Sequence, residues 1–491
     1  MESNTTVDRQ SAEDPHGFVK GLGLLDSTTL VIGSMIGSGI FIVSASIAAE
    51  VRSPGMLLMA WLVTGIITIL AALSYGELAA AMPHAGGQYV YLREAFGPLS
   101  AFLYGWTLFL VIQTGTIAAV AVAFSKFLNV FVPAISLDSR WYPLQTLGWP
   151  EFGISTGQGL AILLIVLLSV MNCFGIRLGA LVQNVFTTGK VLGLLGLILI
   201  AFTYRQGTLR HLQPFAPTGL PQDLDWKSLG FLSIFGGAMV GSLFSADAWN
   251  NVTFTAGEIK NPQRNLPLSL VIGTSTVIGL YLLANLAYLY VMPIQDISRI
   301  AEIGKVAKTV TVGTEIVKRV AGSAGAGVLT LAILVSVFGC LNGLLLAGAR
   351  VYYAMARDGL FMQRIGELHP RYRTPVVALL AQALWASLLV VSGKYSDLLD
   401  YVMFAVMIFY VLTVLGLFVL RKTQPLMERP YKVVGYPFLP ALYLVLTTLI
   451  TIDLLYLPSK RAYTWPGLII VLAGVPVYYL WKLRMKGDRT L

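Results

Sequence analysis

Cysteine is almost missing. Cys173 and Cys340 are the only two in 491 residues, and both fall in apolar runs. They read as buried thiols and exclude a disulfide framework. The four histidines, His16, His84, His211 and His369, are scattered over a tail and loops. They make no spaced set with cysteine or acidic neighbours, so no metal site and no cofactor is expected. A phosphate-binding loop, a nucleophile elbow and a catalytic dyad are also lacking, which argues against an ATP-driven pump and against an enzyme. The start, MESNTTVDRQSAEDPHG, has no short basic stretch of the secretory kind and reads as a flexible cytosolic tail. Charge is scarce as well, at 12% of residues, about half the usual share in soluble domains.

What fills the space is apolar. The chain is 56% hydrophobic, with a mean hydropathy of +0.74. Leu99–Ser125, Leu266–Gln295 and Ala321–Ala349 contain no charge at all, and each exceeds the ~20 residues that cross a hydrocarbon core. The net charge of +10 comes from basic residues clustered at helix ends. It therefore points to membrane lipids, and no nucleic-acid partner is expected.

Hydropathy divides the chain into twelve spans, about 24–50, 56–82, 98–130, 157–175, 180–203, 228–256, 266–292, 325–355, 375–393, 398–420, 437–456 and 463–482. The long loops are 131–156, 204–227 and 293–324, the last with helical patterning of its own. Residues 86–97 form a further short helix whose Tyr89, Tyr91, Leu92 and Phe96 read as an interfacial face. With both termini placed inside, 18 Lys and Arg lie on the inner side and 13 on the outer. The bias is clearest in the short loops: 357–373 and 421–432 carry four each. Basic residues favour the cytoplasmic side, so both termini are expected there, in a plasma-membrane protein.

Two spans are interrupted. In VIGSMIGSGIF, residues 31–41, the run Gly37-Ser38-Gly39 has low helix propensity. The sixth span is interrupted around Gly236–Ala248. Breaks in helices one and six of two five-helix halves point to an inverted-repeat transporter with its site near the midplane. Unwinding in lipid leaves backbone groups that cost several kcal/mol each unless protein, water or ligand takes them up. The amides of the half-helix resuming after Gly37 would face the gap with partial positive charge, a receptacle for a carboxylate. The alternative is a packing face, Gly33-xxx-Gly37, that lets a neighbour approach. The second break sets Asp247 among Ser245, Trp249 and Asn250. Facing lipid, that aspartate would cost about 2.5–3.5 kcal/mol or more, so it is expected to face an interior cavity. Phe244 and Trp249 would wall that cavity, and freed carbonyls there would accept an ammonium group. Donors for a carboxylate opposite acceptors for an amine fit a zwitterionic amino acid.

Lys190 stands mid-span in ALVQNVFTTGKVLGLLGLILIAF, with ~15 Å of helix on either side. Snorkelling reaches badly from there, so the amine needs a polar interior or must shed its proton. It stands where a sodium-coupled carrier would bind its cation, bridging carbonyls of the first helix, or serves proton coupling, or is tied structurally to those carbonyls. Glu77, near a helix end, is read as solvated or ion-paired. Tyr104, Trp106, Gln113, Asn172, Asn285, Asn342 and Tyr410 are candidates for interhelical bonds only.

The motifs GSMIGSGIF (33–41), YGELAAAMPHAGGQYVYLREAFG (75–97), LVQNVFTTGK (181–190) and FSADAWNNVTFTAGEIKNPQRNLP (244–267) give the chain a resemblance to the amino acid–polyamine–organocation superfamily. It is most similar to the L-type amino acid transporter branch, over roughly residues 20–482. The resemblance implies an all-α, multi-pass, LeuT-like fold of twelve transmembrane helices. Two inverted five-helix repeats, 24–203 and 228–420, would be followed by two extra helices in 437–482, with tails 1–23 and 483–491. It implies that Gly37, Ser38 and Gly39 hold the substrate carboxylate by backbone N–H, and that carbonyls of Met35, Phe244 and Asp247 hold the amine. Phe244 would close over the substrate, Ala246, Ala248 and Asn250 would line the pocket, and Lys190 would replace a sodium site. Many relatives carry glycine where Ala248 stands, and Asp247 is glycine in some, so it does not fix substrate charge. Loop 131–156 lacks the cysteine that joins eukaryotic relatives to a glycoprotein heavy chain, so no disulfide-linked partner is expected, and a bacterial origin is.

The expected activity is sodium-independent transport of neutral L-amino acids by exchange. The rivals are a proton-coupled symporter, an antiporter for cationic amino acids or amines, and a non-transporting amino acid receptor.

Overall fold

The computed structural model describes residues 17–138, 140–141, 153–217, 227–306, 310–392, 395–457 and 461–488. The outer parts of both expected tails, residues 1–16 and 489–491, lie outside this set, as does the tip of the 131–156 loop at 142–152.

The chain opens with α1 (Leu24–Met35) and α2 (Gly39–Val51), which meet at a bend of 41°. α3 (Pro54–Ala81) starts on a proline behind Ser53, whose hydroxyl accepts the Met56 N–H at 3.2 Å, an N-cap that satisfies one orphan amide. The short α4 (Gln88–Phe96) leads to α5 (Pro98–Thr107), which runs through a π-helical turn, Leu108–Ile112, into α6 (Gln113–Leu128). A two-residue strand pair, Arg140–Trp141 with Ile154–Ser155, precedes α7 (Thr156–Cys173) and α8 (Ile176–Phe202). Then follow α9 (Leu229–Ser245), α10 (Asn251–Phe254), α11 (Pro262–Val291), α12 (Ile294–Val306) and α13 (Val312–Arg357). The chain finishes with α14 (Val376–Ser392), α15 (Tyr395–Thr423), α16 (Phe438–Tyr456) and α17 (Arg461–Asp488).

Among the described residues nine helices, counting α5–α6 as one, are long and apolar enough to cross a membrane, and the bent pair α1–α2 makes a tenth. α9 and α14 are apolar but shorter. The protein is an all-α, multi-pass membrane bundle. At 46 residues, α13 would run ~70 Å, more than twice a hydrocarbon core. Gly322, at φ +72°, breaks it, a backbone conformation that only glycine adopts freely. The first arm of α13 and α12 supply the helical content expected in the 293–324 loop. α12 buries Ile294, Ile297 and Ile300 and leans on α2.

α13 is the central post, with 72% of its spanning window buried, whereas α17 has 22%. α1 is enclosed by α8, α11 and α13; α2 lies against α9 and α12. One expectation fails at α4. Tyr89, Tyr91 and Leu92 are fully buried, with Tyr91 edge-on to Tyr75 and the Tyr89 hydroxyl donating to Asp358 at 2.8 Å. The apolar face meets protein, not the lipid interface, because amphipathic spacing reports burial without saying in what.

Two ion pairs with buried carboxylates fix the ends of the helices. Glu258, beyond α10, takes a bidentate pair from Arg350 of α13 at 2.8 and 3.0 Å, each side chain 1% exposed. The backbone carbonyl of Glu258 also accepts the N–H groups of Gly21 and Leu22, and Lys260 donates to Leu22 O at 2.8 Å. The segment entering α1 is thereby strapped to the segment leaving the second break. Glu77 is ion-paired: Arg421 reaches it at 2.8 and 2.5 Å and the Val433 N–H at 2.7 Å.

Candidate functional site

A helix end leaves four carbonyls without intrahelical partners, and a helix start leaves four amides. At the gap between α1 and α2 the two sets are treated differently. The last carbonyls of the α1 end each face a side-chain donor. Lys190 Nζ donates to Gly33 O at 2.7 Å and to Ile36 O at 2.8 Å. Cys340 Sγ donates to Ser34 O at 3.2 Å, and Ser336 Oγ reaches Ile36 O at 3.0 Å. The Tyr281 hydroxyl stands 3.1 Å from Met35 O. Across the gap, the amides of Gly37, Ser38, Gly39 and Ile40 have no partner among the described residues, and the N-cap Ser38 side chain does not fold back to supply one. The carbonyl end of α1 is met by the Lys190 amine and three weaker donors. The positive end of α2 is left open.

The second break lies directly opposite. α9 stops at Ser245, and Asp247 N–H turns back to Phe244 O at 3.2 Å. Ala248 takes φ +65°, the left-handed region in which an L-alanine is strained. The Tyr281 hydroxyl is also 3.1 Å from Ser245 O, so one phenol, with a single proton to donate, bridges the two breaks. A Cβ on Gly39 would stand 2.3 Å from Ser245 Oγ; only glycine allows this approach.

Gly33 and Gly37 divide the two readings of the first motif between them. A Cβ on Gly33 would meet Gln183 Nε2 at 1.9 Å and Thr187 Oγ1 at 2.3 Å, so Gly33 is the packing glycine against α8. A Cβ on Gly37 would find its nearest neighbour, Cys340 Sγ, at an ordinary 3.6 Å. Gly37 belongs to the unwound stretch.

Around Asp247 the other candidates fall into place. Its carboxylate accepts the Tyr410 hydroxyl at 2.5 Å, and its backbone carbonyl accepts nothing among the described residues. Asn250 Nδ2 donates to Gln88 Oε1 at 2.8 Å, and Gln88 passes the chain on to Thr413 at 3.1 Å. Trp249 is buried between the rings of Tyr75 and Tyr410, at 4.7 and 5.3 Å. Two small cavities, about 20 and 30 Å³, flank Asp247, each with room for roughly one or two water-sized groups. Ala248 and Asn250 line one, Ala246 and Trp249 the other, and Tyr410 both. Met35, Gly37, Ser38, Gly39 and the half-buried Phe244 line neither. A wider vestibule of about 880 Å³ lies at the end of the bundle where α1 and α8 begin, with Lys20, Arg93, Arg177, Arg357 and Asp358 on its walls. Among the described residues no three His, Cys, Asp or Glu side chains are grouped to hold a metal.

Tyr281, Ser336 and Cys340 do not stand out as site residues in the sequence. The signal available was the spacing of polar groups on one helical face: Tyr281, Asn285 and Tyr288 on α11, and Ser336 and Cys340 on α13. Each stripe turns inward to α1 or α2, since Asn285 Oδ1 accepts from Ser44 at 2.6 Å and Tyr288 reaches Ile40 O at 3.4 Å.

Comparison with known proteins covers nearly the whole chain. The family model described as amino acid permease matches residues 22–479. The human b(0,+)-type amino acid transporter 1 is 30% identical over 470 residues, 94% of this chain and 88% of its own. The serine/threonine exchanger SteT of Bacillus subtilis (strain 168) is 31% identical over 474 residues, 96% of this chain and 99% of its own. The human large neutral amino acids transporter small subunit 2 is 31% identical over 480 residues, 98% of this chain and 83% of its own. Identities this even do not single out the L-type branch.

Proposed function

The chain belongs to the amino acid permease family, a family of secondary transporters and not of enzymes, and from that premise we propose that it exchanges neutral L-amino acids across the plasma membrane without sodium. The observation that carries this reading is the uneven repair of the first break: the carbonyls of Gly33 to Ile36 each face a donor, and four consecutive amides have none among the described residues. Open amides at a helix start favour an anion, so the substrate carboxylate sits on Gly37, Ser38 and Gly39. The amine takes the unused lone pairs of the Met35 and Phe244 carbonyls and the carbonyl of Asp247. Phe244 closes above, with Ala246, Ala248 and Asn250 around the side chain.

Lys190 supplies the positive charge that a bound sodium ion would otherwise bring to the α1 carbonyls. A tethered cation stays in place through the cycle, which supports independence from a sodium gradient. Both termini are cytoplasmic in this reading. Residues 24–203 and 228–420 form two inverted five-helix repeats and 437–482 two further helices, twelve spans in all, with α9 and α14 among them. Alternating access moves one amino acid inward for one outward.

Reconstituted vesicles test this. Uptake of labelled neutral amino acid should require unlabelled amino acid inside, and should survive replacement of sodium by choline. Loss of uptake in choline would remove the proposal. The Asp247–Tyr410 pair favours one rival, a proton-coupled symporter or a carrier of cationic amino acids. Uptake into vesicles without internal amino acid, driven by an inward proton gradient, would select it. Saturable binding without flux would instead mark a receptor.

A further inference from the structure

Beside Asp247 the bundle holds an unused set of hydrogen-bonding groups. The cavity of about 20 Å³ is bounded by the π-helical turn, by the second break and by α15. A π-turn inserts an extra residue into a helix and recurs at functional sites. This one is held open by outside donors, with Tyr352 reaching Leu108 O at 3.4 Å and Trp385 reaching Leu110 O at 3.0 Å.

Most polar side chains on the cavity wall are engaged. Gln88 and Asn250 bond each other, Gln113 donates to Leu344 O at 2.8 Å, Thr116 to Ile112 O at 2.6 Å, and Asp247 takes Tyr410. Two are not. Tyr104 and Asn251 are each 2% exposed. The Asn251 Nδ2 is wholly buried with no partner, and the Tyr104 hydroxyl makes no hydrogen bond among the described residues. A buried group such as the Asn251 amide nitrogen is nearly always satisfied in folded proteins, so with the Tyr104 hydroxyl on the same wall it calls for an occupant.

We propose that Tyr104 and Asn251 form the subsite that reads the substrate side chain and selects a small hydroxyl-bearing amino acid over an aliphatic one of equal size. The inference rests on the carrier reading above and narrows its substrate class. A hydroxyl both donates and accepts, so it can serve a phenol and a carboxamide together. The cavity volume admits roughly one such group, whereas an indole or a long aliphatic chain would have to push the wall back. A site built to bond a hydroxyl rejects the analogue lacking it, because its own polar groups are then left unpaired.

Threonine and valine are near-isosteric and make the test. In proteoliposomes the wild-type protein should exchange threonine with a kcat/KM at least tenfold above that for valine. Tyr104→Phe and Asn251→Leu should each bring the ratio below about threefold, by raising KM for threonine while valine is unchanged or improved. Because the ratio is taken within one variant, valine exchange reports that the variant has folded. A wild-type ratio near one, or a ratio that neither variant moves, overturns the subsite and leaves the cavity as a place for water alone. Failure of every amino acid to exchange overturns the carrier reading, and the subsite falls with it.

Discussion

Lys190 is held by two carbonyls, but it matters unequally to them. Ile36 O keeps Ser336 when the lysine is removed, whereas Gly33 O has no other donor among the described residues. Lys190→Met should therefore orphan one buried carbonyl, costing about 1–3 kcal/mol, and strip the charge that balances the end of α1. Exchange should fall at least tenfold, with a lower melting temperature for the purified carrier. Full activity in this variant would contradict the role given to the ammonium group. Ala248 poses the opposite case. Its left-handed backbone costs roughly 1–2 kcal/mol relative to an ordinary alanine, against which glycine would lose about 0.5–1 kcal/mol in the unfolded chain. Thermal melting should rank Ala248→Gly equal to or above wild type and Ala248→Val clearly below it. A valine variant as stable as wild type would mean that the turn at φ +65° does not form.

Between helices the decisive contact is the one the two breaks make with each other. Gly39 begins α2, Ser245 ends α9, and the space between them is too small for a methyl group. Gly39→Ala should abolish exchange by forcing the breaks apart. Ser245→Gly removes the clashing Oγ and Cβ and should restore a measurable fraction in the double variant. An alanine at 39 tolerated without that second change would show that the breaks are not in contact. The strap at the far end of α1 works through charge. Arg350→Met leaves Glu258 buried and unpaired, which is expected to destabilise the protein by about 3–5 kcal/mol, whereas replacing the pair by apolar residues of similar volume is often close to neutral. Denaturation of Arg350→Met beside Glu258→Leu/Arg350→Met measures this. Equal losses in the two would say that the strap depends on shape and not on charge.

Across the bundle, the features legible in the sequence are those that disobey the rules of an apolar helix. Gly37-Ser38-Gly39 is too poor a helix former to continue α1, Asp247 is too polar for lipid, and Lys190 is too far from either end to snorkel. Each is a local contradiction, visible without knowing any neighbour. The partners that resolve those contradictions are not local. Tyr281 reaches α1 and α9 across more than 240 residues and 36 residues respectively, and no periodicity encodes which face of α11 will meet them. Ala248 hides for another reason: alanine carries no signal of left-handed backbone, so its strain emerges only from the turn it occupies. The buried face of α4 reads as interfacial in the sequence because an apolar stripe looks the same against protein as against a membrane interface. The 46-residue α13 was separable into arm and span only in part, since Gly322 sits among other small residues that do not bend the helix.

All of this depends on the α2 amides being the seat of the substrate's carboxylate. A density map of the carrier with threonine bound tests it most directly. The account predicts carboxylate oxygens about 2.7–3.2 Å from the amide nitrogens of Ser38 and Gly39, with Lys190 still on Gly33 and Ile36. A carboxylate paired instead with a lysine or arginine side chain, or an α1 that winds unbroken through Gly37–Gly39, would contradict it.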